Sequence, residues 1–343
     1  MKRYNLLCIL CAGLLAMFFA SCQNQEVEYP NFAYSTVYFA YQYPVRTIVL
    51  GEDIYDTSLD NAHQCAIYAT MGGVYSNKKQ IDINFVVDNT LCDKLTFADG
   101  SAVQAMPSSY YSLAGSKITL DKTLQGAVGV QLNDPFFADP NALKNTYVIP
   151  LRMTKVNNAD SILSGVPKIA NAVRGNSALW DILPKDYVLY CVKFINTWHG
   201  NYLRRGVDLV TSGSTTTKNI RHKQYVESDE VTSLTTKSLS TVELPVNVAD
   251  ANGVNVVCKL LLTFDNQGKC TVGTSTSRFT VSGNGTFVVK GEKNSWGNKD
   301  RNAIYLGYNI TDAVSGKSFA TTDTLVVRDR GVKIETFSPV YTN

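Results

Sequence analysis

Apolar and polar residues alternate in short runs through most of this chain, and Gly, Pro, Asn and Asp cut the runs apart. A period of two suits half-buried strands and excludes long amphipathic helices. In IDINFVVD (81–88), Ile81, Ile83, Phe85 and Val87 fall on one face, with Asp82, Asn84 and Asp88 on the other. STVYFAYQ (35–42), SKITLDK (116–122), AVGVQL (127–132) and TYVIPLRMTKV (146–156) read as further strands. Gly72-Gly73, Asp99-Gly100, Pro107 and Asn133-Asp134-Pro135 supply the turns between them. About seven strands so spaced predict an immunoglobulin-like β-sandwich over residues 31–163. Pro150 has no N–H to give a ladder, which predicts an edge or bulged position for its strand.

Residues 164–186 contain Gly165, Pro167, Gly175 and Pro184 without a clear period and read as a linker. Residues 187–343 then read as a second all-β unit. YVLYCVKFI (187–195) is apolar on both faces, as a buried strand is, and is taken as that unit's first strand. Three hairpins follow: 256–273 turning at Asp265 to Gly268, 278–292 turning at Asn284-Gly285, and 303–329 turning near Ser315-Gly316. Successive hairpins suggest a lipocalin-like, partly closed β-barrel, with a second sandwich as the alternative. The fold class is therefore all-β. Composition agrees, with 19 Tyr, 14 Phe and only 18% charged residues.

The first 30 residues bear on location. Lys2 and Arg3 precede an apolar run, Leu6 to Ala20, that is too short to cross a bilayer and has the proportions of a signal-peptide core. FASC, ending at Cys22, resembles a bacterial lipobox, with Phe19 where Leu is commoner. Residues 1–21 are then expected to be a lipoprotein signal peptide and Cys22 the lipid-modified first residue, the alternative being an ordinary secretory signal cut at Ala20 with Cys22 incidental. Residues 22–30, with Glu26 and Glu28, resemble the acidic tether of outer-surface lipoproteins. This predicts outer-membrane, cell-surface placement with membrane contact through the lipid anchor only. The formal charge of +3 includes Lys2 and Arg3, and no basic stripe remains, so nucleic acid is not an expected partner. Cys65, Cys92, Cys191, Cys258 and Cys270 remain in the mature chain, with no C-x-x-C among them, which argues against a zinc or redox motif. Cys191 and Cys258 suit small core residues, and Cys258 and Cys270 suit opposite positions across a hairpin.

No constellation for catalysis stands out. His63, His199 and His222 are far apart, and neither H-E-x-x-H nor G-x-S-x-G occurs. The expectation is a non-enzyme with no cofactor and no metal site. EKNSWGNKDRNAIYLGY (292–308) suggests binding instead. A sugar ring offers an apolar C–H face and a rim of hydroxyls, so its site needs an aromatic platform flanked by in-plane donors and acceptors. Trp296 with Asn294, Asn298, Asp300 and Arg301 forms such a set; Trp296 folded over the barrel mouth is the competing reading. Tyr110 and Tyr111 are consecutive, so one of them would face outward from a strand, a second candidate for sugar contact. Trp198, in NTWHGNYLRRG (196–206), reads as a plug at the barrel's bottom, with Arg204 or Arg205 over it.

The lipobox, the pattern MPSSYYSLAGSKITLDKT...GAVGVQL...TYVIPLRMTKVNNADSILSG and DYVLYCVKFINTWHGNYLRRG together resemble a group of Bacteroidetes surface lipoproteins. These pair an uncharacterised N-terminal sandwich domain, also found before the catalytic domain of some endo-N-acetylglucosaminidases, with an uncharacterised C-terminal β domain. The resemblance implies a SusE/SusF-type role in polysaccharide utilisation. The protein would bind an oligosaccharide or polysaccharide without cleaving it, beside a SusC/SusD-like transporter complex. A structural or adhesive partner within a surface complex is the second reading, and a glycan-active enzyme of unrecognised type the third.

Overall fold

The computed structural model describes residues 31–342; the expected signal peptide (1–21), Cys22 and the expected tether of 22–30 lie outside the described residues. Strand makes up 55% and helix 8%, so the chain is all-β. The first unit is built from β1 (Thr36–Tyr38), β2 (Pro44–Val49), β3 (Gln64–Gly72), β4 (Gln80–Val87), β5 (Tyr111–Leu113), β6 (Lys117–Asp121), β7 (Gln125–Leu132), β8 (Tyr147–Asn157) and β9 (Tyr187–Ile195). One sheet runs Ser161–Ile162, β1, β3, β7, β5; the other runs Glu335–Thr336, β2, β9, β8, β4, β6. Their inner faces share one core, in which Val37, Ile67 and Val128 of the first sheet meet Ile83, Ile149, Val192 and Phe194 of the second. This is the layered architecture of a β-sandwich.

The apolar run 187–195 is a buried strand, but it belongs to the sandwich and not to the second unit. β9 lies between β8 and β2 in the middle of its sheet. Val188, Val192 and Phe194 face the main core. Tyr187, Leu189 and Cys191 face a second cluster with Leu91, Phe97 and Phe337. A strand covered on both faces loses its polar alternation, which is why its sequence carried no sign of which unit would claim it. β8, the strand of Pro150, is likewise central, flanked by β9 and β4. Its bulge falls at Met153/Lys155 instead. The Pro150 carbonyl accepts from Asp88 N at 2.9 Å, just past the end of β4. The imide nitrogen points the same way, beyond the last paired residue, so the missing donor costs the ladder nothing.

The chain returns to the sandwich at its end. Glu335 and Thr336 pair with Val45 and Pro44, Val340 and Tyr341 pair with Thr96 and Leu95, and Phe337 packs on Tyr43 and Phe97. The second unit is thus inserted between two parts of the first, and the boundary expected at residue 187 moves to about residue 196, where the β9 ladder has ended.

That second unit comprises β10 (Gly200–Ser212), β11 (Thr215–Arg221), β12 (Glu230–Thr236), β13 (Thr241–Ala249), β14 (Asn255–Phe264), β15 (Lys269–Thr274), β16 (Phe279–Ser295), β17 (Lys299–Asp312) and β18 (Ser318–Asp329). β10 pairs with β18 on one edge and with β12 on the other, closing an eight-stranded barrel and excluding a second sandwich. β11 stays outside the ring, as a hairpin arm on the far half of β10. The interior is filled by apolar side chains, among them Leu244, Leu260, Leu262, Ile304, Leu306 and Leu325. Trp198 closes the sandwich-facing end, stacked on Phe264 at 4.2 Å between ring centroids.

Two of the expected hairpins form where the turns were read. The third does not: Asn284-Gly285 lies in the middle of the continuous strand β16, which turns only at Trp296–Asn298. Gly283 and Gly285 serve packing. A Cβ at either would overlap the facing side chain, Tyr308 or Leu306 respectively, so these glycines let β16 and its neighbour close tightly. The five cysteines described are all buried and free. Burial pushes the Cys65 thiol up to about 12, and Cys258 and Cys270 are core residues of the barrel without a bond between them.

Candidate functional site

Where sandwich meets barrel, a cleft of about 650 Å³ opens between the loop after β2 and the near rim of the barrel. Arg330, buried to 7%, holds the two sides together. Its guanidinium donates to Leu50 O (3.0 Å) and Glu52 O (2.8 Å) on the sandwich side, and to Asn196 O (2.6 Å) and His199 O (2.8 Å) at the barrel's entry. Tyr55 stands exposed on one wall, beside Asp53. On the other, Ser233 Oγ donates to Asn201 Oδ1 (2.7 Å) and Asn201 Nδ2 to Asp329 Oδ1 (2.6 Å). Lys333 completes the rim. The cleft therefore offers an aromatic ring, an amide, a hydroxyl, carboxylates and an ammonium within one concave surface. Such a lining suits a ligand that is apolar on its faces and hydrogen-bonding at its edges. Among the described residues, no three His, Cys, Asp or Glu side chains gather in a metal-binding cluster.

His199 lines the same cleft, and its ring accepts at Nδ1 from Thr236 N (3.1 Å), which puts the proton on Nε2. Burial, then the charges of Arg330 and Lys193, lower its pKa to about 4. The unfolded chain takes up this proton near pH 6.5 and the folded one only near 4. Stability contributed by neutral His199 is thus whole above about pH 6.5 and is lost as pH falls through that window, by at most about 3 kcal/mol. Urea midpoints measured from pH 7 to 4 should fall more steeply for the native protein than for His199→Gln; parallel profiles would exclude this origin.

The hairpin tip between β16 and β17 brings Trp296, Asn294, Asn298, Asp300 and Arg301 together, as the sequence suggested, but engages them with one another. The Arg301 guanidinium lies 3.4 Å from the Trp296 ring centroid and its Nε donates to Trp296 O. Asp300 accepts from Asn294 N and Lys293 Nζ, both at 3.0 Å. Asn294, Gly297 and Asn298 take positive φ and shape the turn. Trp296 Nε1 donates to Val327 O on β18 (3.1 Å), so the tip folds back on the barrel end two residues from the cleft's Asp329. Tyr110 and Tyr111 lie elsewhere, in the sandwich. Tyr111 is buried in the core, and Tyr110 packs on it with its hydroxyl donating to Asp139 (3.1 Å). Neither Arg204 nor Arg205 lies over Trp198. Arg205 pairs with Asp229 (2.6 Å). Arg204 is held inside the barrel by Asp323 (2.9 Å), which also accepts from Tyr308 OH (2.7 Å) and Arg221 Nη2 (2.6 Å).

Sequence reasoning missed the cleft because its residues come from positions 53–55, 199–201, 233–235 and 329–333, joined only when the chain returns to the sandwich. Comparison with known proteins adds family but not activity. A model described as a domain of unknown function (DUF5627) matches residues 197–331, the extent of the barrel, and a model described as an N-terminal domain matches residues 29–160. No curated protein matches. An auxiliary nutrient binding protein from Bacteroides thetaiotaomicron aligns at 10% identity with a TM-score of 0.32, over 82% of this chain and 90% of that one, too slight a likeness to bear on fold or function. A crystal structure of a Bacteroides ovatus protein of unknown function is 47% identical, with a TM-score of 0.88, over 91% of this chain and 100% of that one. The chain belongs to the family of that Bacteroides ovatus protein, with the DUF5627 match spanning its barrel.

Proposed function

We propose that this protein is a lipid-anchored outer-membrane surface protein that captures glycans without cleaving them, in the service of a SusC/SusD-like transporter. The observation that carries the reading is the cleft between sandwich and barrel. There Tyr55, an aromatic ring, lines one concave surface with the amide of Asn201, the hydroxyl of Ser233 and the carboxylate of Asp329. The lipobox-like segment ending at Cys22 supports surface placement, and many tethered copies make modest affinity sufficient for capture. The Trp296 tip, bonded to β18 beside the cleft, lengthens the surface a chain of sugars would cross.

Affinity electrophoresis through gels containing mannan, host N-glycans or mucin glycans tests this. Retardation by at least one glycan is expected. Tyr55→Ala, at an exposed position, should weaken it about tenfold or more, equivalent to about 1.4 kcal/mol. No retardation on any of them would overturn the reading. Co-purification of another surface protein would then favour a docking role, for which the open groove of about 500 Å³ beside exposed Tyr41 and Tyr68 is suited.

A further inference from the structure

The far end of the barrel holds a second pocket, of about 250 Å³, that no part of the cleft reaches. It exists because the ring is loosely closed there. β12 pairs with β10 only as far as Arg204 and with β13 only near Thr236, leaving a slit that β11 flanks. Arg221, on β11 outside the ring, crosses into the interior at Gly206. Its Nη2 meets Asp323 Oδ1 at 2.6 Å, in the space a Cβ at residue 206 would occupy. Asp208 accepts from Arg221 Nε (2.7 Å) and Nη2 (2.9 Å), and Glu230 stands 3.7 Å from Arg204 Nη1. Charges so deep in a barrel are costly unless fully bonded, and this set is not: Arg221 Nη1 is buried and has no partner among the described residues. Asn247 and Asn255 line the mouth, above a floor that includes Ile310 and Phe319.

We propose that this pocket is a second ligand site, taking one neutral sugar residue. Two guanidinium groups face three carboxylates here, an excess of one negative charge that disfavours an anionic ligand. A ring hydroxyl donates to Glu230, whose carboxylate is half exposed and stands 3.7 Å from Arg204 Nη1, and a ligand carboxylate has no proton to give it. The apolar floor meets the C–H face of the ring, and the volume, about that of eight waters, admits a single residue and not a chain. The ligand class rests on the glycan-capture reading, but the site does not use the cleft.

Side-chain resonances of ¹⁵N-labelled protein, titrated with methyl glycosides of mannose, galactose, fucose and N-acetylglucosamine and with glucuronate, decide the matter. At least one neutral glycoside should shift the Arg221 Nε–H and Asn255 amide signals, in native protein and in Tyr55→Ala alike. Glucuronate at equal concentration should leave them unmoved. Arg221→Lys should weaken binding about tenfold or more. Shifts at Asn201 without shifts at Arg221 overturn this site and leave the cleft standing. Shifts at Arg221 alone support this site and overturn the cleft. Silence at both overturns both, and glucuronate binding at Arg221 as strong as any neutral glycoside's overturns the assignment to a neutral sugar.

Discussion

Arg330→Met should cost about 3–5 kcal/mol of unfolding free energy. The guanidinium is the shared donor for carbonyls of Leu50, Glu52, Asn196 and His199, and hydrogen bonds from a charged donor contribute about 1.5–3 kcal/mol each. Methionine fills the space but leaves several carbonyls unpaired at a junction that water reaches only in part. Arg330→Lys should recover little, because a single ammonium cannot span acceptors arranged for a planar fork. Urea denaturation followed by tryptophan fluorescence measures the loss, and small-angle scattering should show the barrel loosened from the sandwich. A loss below about 1 kcal/mol would mean that solvent replaces the guanidinium.

Asp323→Asn should be comparably severe, at about 3–5 kcal/mol. The Asp323 side chain is wholly buried and bonded to Arg204, Tyr308 and Arg221. The amide would leave Arg204, only 7% exposed, with no counter-charge but half-exposed Glu230 at 3.7 Å. Breaking such a pair from one side strands a charge, whereas replacing both partners removes it. The double variant Asp323→Asn, Arg204→Met should therefore melt at a higher temperature than Asp323→Asn alone. If it melts lower still, the cost lies in packing and not in the stranded charge. Gly206→Ala should destabilise in the same direction, since its methyl would overlap the Asp323 carboxylate and the Thr322 carbonyl.

What the sequence disclosed follows from which interactions are local. Ile81, Ile83 and Phe85 are buried as their alternation required, and the turns at Asp265 to Gly268 and Ser315-Gly316 reverse their strands, because period and turn chemistry act over a few residues. Asn284-Gly285 misled because the same dipeptide serves a turn or a tight barrel wall, and only Tyr308 and Leu306 opposite decide which. The residues 187–195 disclosed burial but not membership, since both faces are covered wherever such a strand lies. The polar set around Trp296 was legible as a cluster, but not the contact of Arg301 with its ring. The cleft and the Arg204–Asp323–Arg221 network were not legible at all. Their members are brought together by barrel closure and by the return of residues 335–341, pairings over more than a hundred positions that leave no periodic trace.

That return also sets an order of assembly. As the chain leaves the ribosome, every partner strand of the barrel is available once Asp329 has emerged, whereas Val45 and Leu95 wait for Glu335 and Tyr341. The unit that begins first is finished last, so a chain ending at residue 331 would carry a complete barrel on a sandwich with bare edges.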